Sequence, residues 1–192
     1  MKVLLSVIAL LALFSCGNLP PENRDAPNQP EETAVATTSE FWEICSTLPK
    51  VELPYSVYCE DCCVQADTAS QRKISDFLPE GSAFVGIIEQ TDAFVSALVT
   101  YPADWIIPAV VVFNREGEKI DEEVFLGGYC GSDYGYMSRQ YFYINSSYDL
   151  MEIDSVFTLT LDPETFKTLD TTKTEIEVKK FEISAKGIEK RD

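Results

Sequence analysis

Beyond residue 80 apolar and polar residues trade places with a period of two, interrupted at short intervals by turn residues, which predicts strands joined as hairpins. Residues 83–90 and 93–101 are separated by Thr91-Asp92. Residues 108–113 meet 118–126 through Asn114-Arg115-Glu116-Gly117, whose glycine can take the positive φ of a tight hairpin. Residues 139–144 and 150–161 flank Asn145-Ser146-Ser147. In 150–161, Met151, Ile153, Phe157, Leu159 and Leu161 share one parity, while Glu152, Asp154, Thr158 and Thr160 share the other. The odd residues are therefore expected inward and the even ones in water. Residues 93–101 and 106–113 are apolar on both parities, as in central strands covered on both sides. Near the C-terminus the apolar phase passes from even at Ile176 and Val178 to odd at Phe181, Ile183 and Ala185. A β-bulge near Lys179-Lys180 is expected to restore the inward face. The pattern predicts an all-β fold, an antiparallel meander of about seven strands closing toward a sandwich or barrel.

Ahead of the meander the pattern changes three times. Lys2 precedes an apolar run over 3–14, long enough for a secretory signal and too short to span a bilayer, so residues 1–15 read as a signal peptide. Residues 16–39 contain four prolines and many small polar side chains, the composition of a disordered tether. The remaining 40–192 read as a single mainly β domain whose first part, 40–79, is irregular. Pro49 and Pro54 resist both helix and central strand, which predicts a packed loop with a short helix within 67–78.

The chain has 15 basic and 32 acidic residues, a net charge of −17, which disfavours nucleic acid and anionic headgroups as partners. It contains no histidine, which argues against Ser-His-Asp and Cys-His catalysis and against most catalytic zinc sites. No catalytic residue, metal site or cofactor is assigned from the sequence.

Cys45, Cys59, Cys62, Cys63 and Cys130 follow the tether. In an exported protein such cysteines favour disulfides, which would staple the irregular segment to the β domain; one pattern joins Cys130, in the loop Gly127-Gly128-Tyr129-Cys130-Gly131, to the 59–63 cluster. Cys59-Glu60-Asp61-Cys62 has redox spacing, but the two acids between the sulfurs disfavour thiolates. A thiol-redox or metal-binding role for the cluster, and a carboxylate-based hydrolase, stand as alternatives to a binding or structural module. Glu116, Glu118, Asp121, Glu122 and Glu123 crowd one hairpin without a calcium-loop pattern and read as a solvated acidic face. Residues 128–144 concentrate tyrosines around one arginine. Tyr129, Tyr134, Tyr136 and Arg139 are candidates for contact with a protein or glycan, whereas Tyr141 and Tyr143 read as strand residues turned to the core.

Leu13-Phe14-Ser15-Cys16 resembles the lipobox of bacterial lipoproteins, in which the cysteine carries the lipids. With the Cys-Gly-Asn start of the tether and the phrases VTYPADWIIPAVVVFNREGEKID and YFYINSSYDLMEID, the chain resembles uncharacterised small lipoproteins of the Bacteroidetes type. The match beyond the signal covers residues 98–154, with Gly117-Glu118-Lys119 where those proteins have Gly-Lys. The resemblance implies an exported, mainly β protein of the cell envelope, held to the outer or inner membrane by lipid on Cys16. It carries no activity with it. A non-catalytic binding or structural module is the resulting expectation.

Overall fold

Ser39 caps the first helix described: its hydroxyl accepts the Trp42 N–H at 3.2 Å and donates to the Arg115 carbonyl. The computed structural model describes residues 39–59, 63–104, 106–128 and 130–192. Helix α1 (Glu40–Ser46) carries Glu40 and Glu43 in its first turn, where they complement the helix dipole, and buries Phe41 and Cys45. Helix α2 (Thr68–Ile74) is capped by Asp67, whose carboxylate accepts the Ala69 and Ser70 N–H groups at 2.8 and 3.1 Å. Bonds from the Ser70 hydroxyl and these amides hold the Asp67 carboxyl below its ordinary range. Strand β1 (Tyr55–Tyr58) lies between the helices. The short helix expected within 67–78 is α2, whereas the packed loop expected ahead of it contains a second capped helix and a strand, with Pro49 and Pro54 in the connection between α1 and β1.

Four consecutive strands, β2 (Ala83–Gln90), β3 (Val95–Pro102), β4 (Ile106–Phe113) and β5 (Lys119–Val124), form one antiparallel sheet in sequence order. Its last hairpin turns where expected. Gly117 has φ +88°, and a Cβ there would come within 2.6 Å of the Phe77 ring and 2.8 Å of Phe41. The two-sided apolar pattern of β3 and β4 is matched by burial on both faces. Val95, Val99, Val111 and Phe113 pack under α1 and α2 with Phe41, Leu48 and Ile74, while Leu98 and Val110 face a second sheet.

That sheet holds β6 (Gly131–Asp133), β7 (Tyr136–Ile144), β8 (Leu150–Leu161), β9 (Thr168–Ser184) and β10 (Gly187–Arg191). Its order is β1-β7-β8-β9-β10, with β6 also beside β7. The two sheets pack through Ile88, Leu98 and Val110 on one side and Phe142, Ile144 and Leu150 on the other. Each such buried side chain contributes about 1.5–3 kcal/mol. The all-β expectation holds, as a two-sheet sandwich and not a closed barrel. Among the described residues ten strands replace the expected seven because β1, β6 and β10 have four, three and five residues, too short to show a period in sequence.

Two parity expectations are reversed. Over the first part of β8 the even residues face inward: Leu150 is fully buried and Glu152 nearly so, whereas Met151 and Ile153 are half-buried on the outer side; further along, Thr158 and Thr160 are exposed as expected. Glu152 is tolerated there because it accepts the Leu126 N–H and the Lys179 ammonium, both at 2.9 Å. No bulge occurs at Lys179-Lys180, since pairing runs unbroken from Leu150↔Phe181 to Thr158↔Lys173. The irregularities lie at Thr158/Leu159 and Thr160/Leu161. Ile176 and Val178 are exposed on the outer face, so the phase change needs no bulge to restore them inward. Residues 168–178 are exposed throughout, an arm of the β8–β9 hairpin with no sheet beneath it.

Candidate binding site

The sandwich leaves the outer face of the larger sheet uncovered by any described element. Cross-strand register places Tyr58, Tyr141, Ile153 and Val178 in one row across β1, β7, β8 and β9. Tyr143 and Met151 stand in the next row beside Ser56 and Lys180, and Met137 and Phe157 pair further along. Arg139, opposite Ser155, completes the patch toward Ile176. On this face, residues 56–58 of β1, 137–143 of β7, 151–157 of β8 and 174–180 of β9 present two cations and no carboxylate, while Glu182 and Glu189 stand on the same side at its β9–β10 end, Glu182 paired with Arg191. In a chain with 32 acidic residues that is a pronounced segregation of charge. Glu152, Asp154, Glu175 and Glu177 all take the opposite parity.

Within the face is a notch. One edge of β7 is paired by β6 over residues 136–138 and by β1 over 141–144, leaving Arg139 and Gln140 with no strand beside them. A disulfide between Cys59 and Cys130, with Cα atoms 5.8 Å apart, bridges this gap. It fixes the end of β1 to the start of β6. Cys59 donates its N–H to the Gln140 carbonyl at 3.3 Å, and the Gln140 N–H donates to the Cys59 sulfur at 2.9 Å. Gln140 is buried, and its side-chain oxygen accepts the Gly128 N–H at 3.1 Å. The cavity has a volume of about 430 Å³, within the range of small-ligand sites. Tyr58 and Tyr141 meet edge-on at its rim with centroids 4.7 Å apart, and Tyr58 is 47% exposed. Among the described residues Arg139 is the one charged side chain lining it.

Of the residues singled out in the sequence, Arg139 and the pair Cys59 and Cys130 converge here. Tyr134 and Tyr136 do not line the cavity. Tyr134 is exposed beside Phe166 of the β8–β9 turn at 5.7 Å between centroids, and Tyr136 pairs with Thr158 on the opposite parity from Arg139. Tyr141 and Tyr143, expected in the core, are half-buried on the outer face. Cys45 is buried as a thiol under α1, and Cys63 is buried between the sheets. Cys16, Cys62, Tyr129, the signal and the tether through residue 38 lie outside the described residues. Sequence reasoning missed Tyr58, Met137 and Ser132. The signal that could have found Tyr58 is its adjacency to Cys59.

The acidic hairpin is more structural than expected. Asp121 accepts the Ile188 N–H at 2.8 Å, tying β5 to β10 across the sandwich, and Glu122 accepts the Tyr101 hydroxyl and the Lys119 ammonium. Burial, then repulsion by Glu152 and Asp121, raises the Glu123 carboxyl above its ordinary range. Among the described residues no three metal-ligating side chains converge, and no helix is long and apolar enough to cross a membrane.

The molecule is thus a disulfide-stapled, two-sheet β sandwich with a helical layer, open to contact on the outer face of its larger sheet. Compared with protein-family models, curated proteins and solved structures, the chain matches none.

Proposed function

We propose that the protein is a lipid-anchored binding module of the cell envelope, exported by its signal peptide, attached through Cys16, and engaging a protein or glycan partner through the outer face of its larger sheet. The observation that carries the reading is the aromatic and aliphatic patch over β1, β7, β8 and residues 174–180 of β9, which carries no carboxylate on a chain of net charge −17. An uncovered apolar patch of this kind is a recognised mark of an interaction surface. Lipid on Cys16 would supply the membrane attachment, and the acidic remainder of the surface would keep the domain off anionic headgroups.

The test is oxidative footprinting of intact envelopes against the purified, detergent-solubilised chain, read by peptide mass spectrometry. Tyr58, Tyr143 and Met151 are expected to be oxidised in the purified protein and protected in the envelope, with diacyl or triacyl mass on Cys16. Equal oxidation in the two samples would overturn the binding face. An unlipidated Cys16 would overturn the anchor.

A further inference from the structure

We infer that the notch bridged by Cys59 and Cys130 is a binding site for a saccharide bearing a carboxylate, with Arg139 taking the carboxylate and Tyr58 stacking on the sugar ring. The inference rests on the reading of the outer face as a binding surface and names the ligand class of one part of it. Three observations carry it.

The first concerns charge. Acids outnumber bases by about two to one in this chain, yet Arg139 has no carboxylate partner among the described residues, and of the described cations it alone lines the cavity. Around Arg139 the described outer-face residues of β1, β7, β8 and 174–180 of β9 carry no carboxylate, and the Asp154 carboxylate that accepts the Ser138 hydroxyl takes the opposite parity. A guanidinium fork matches a carboxylate in two parallel hydrogen bonds.

The second is the aromatic pair. Because Tyr58 and Tyr141 meet edge-on, and Tyr58 is exposed, a ring face remains open. A tyrosine face offers flat apolar area at small entropic cost, which suits the C–H face of a sugar ring.

The third is shape and polarity. The cavity is concave and holds about 430 Å³, within the few hundred Å³ of sites that take a small ligand. Its remaining lining includes the hydroxyls of Ser132 and Ser138, groups that can exchange hydrogen bonds with sugar hydroxyls. The Ser138 hydroxyl already faces Asp154 at 3.3 Å, so Ser132, which is exposed, is the freer of the two for a ligand.

The experiment is calorimetric titration of the full chain in detergent with a galacturonate hexamer, its methyl ester, glucose 6-phosphate and a hexaglutamate peptide. The uronate is expected to bind, and the ester to bind about tenfold more weakly. Arg139→Gln should weaken uronate binding about tenfold, Arg139→Lys should recover only part of the loss, and Tyr58→Ala should weaken uronate and ester alike. Melting temperature and the Cys59–Cys130 disulfide should be unchanged in the Arg139 variants, which separates a lost contact from a lost fold. Absence of uronate binding, equal binding of the ester, or an Arg139→Gln variant indistinguishable from the parent would overturn the proposal. Stronger binding of the sugar phosphate would overturn the carboxylate, and equal binding of hexaglutamate would overturn the saccharide. Failure here leaves footprint protection of Tyr143 and Met151, which do not line the notch, as a separate result.

Discussion

Cys45 sits on the inner side of α1 among Phe41, Leu48 and Ile74, where burial pushes its thiol pKa up to about 12. The thiolate is the reactive form, so this cysteine is inert in the folded protein. Alkylation of the native chain at pH 8, followed by peptide mass spectrometry, should leave Cys45 unmodified and label Cys59 and Cys130 only after reduction. Prompt labelling of native Cys45 would contradict its burial. At this scale part of the site was legible. Arg139 stood out as one cation among tyrosines, and Cys130 in a glycine-rich loop pointed to the 59–63 cluster. Tyr58 was not legible as a partner of Tyr141, because a ring contact across more than 80 residues leaves no local pattern.

The strands show what alternation can and cannot tell. In β8 it separates two sets of side chains correctly but does not say which set faces the other sheet. Hydrophobicity favours the odd set, yet that set covers the outer face. Leu150 and Glu152 turn inward because β7 and β9 on either side present Phe142, Ile144 and Phe181 at that parity. Glu152 then depends on its bonds to Leu126 and Lys179. β9 offers a direct test of this phase. Phe181, buried edge-on against Phe125 with centroids 5.3 Å apart, should cost about 3–5 kcal/mol on replacement by alanine. Ile176→Thr, on the exposed arm, should change stability by no more than about 0.5 kcal/mol. Chemical denaturation checks both, and comparable losses would mean that Ile176 is packed after all.

Over the whole molecule, legibility follows the distance between partners along the chain. The β2–β5 sheet is made of successive hairpins, so its composition and order could be read from turns and apolar runs. The larger sheet takes β1 from one end of the domain and β7 from beyond the whole smaller sheet, with Cys59 and Gln140 81 residues apart. No turn signal announces such a pairing. The same arrangement gives assembly a direction in time. The four middle strands can form from near neighbours as soon as they are available, whereas β1 must wait for a partner made much later. In refolding from the reduced state, amides of β2–β5 should gain protection from hydrogen exchange before the Cys59–Cys130 bond appears. The reverse order would show that β1 docks early. During synthesis Cys59 therefore emerges 71 residues ahead of Cys130 and cannot close its native bond in that interval, so exposure to an oxidant before Cys130 follows is a step at which this protein is open to misassembly.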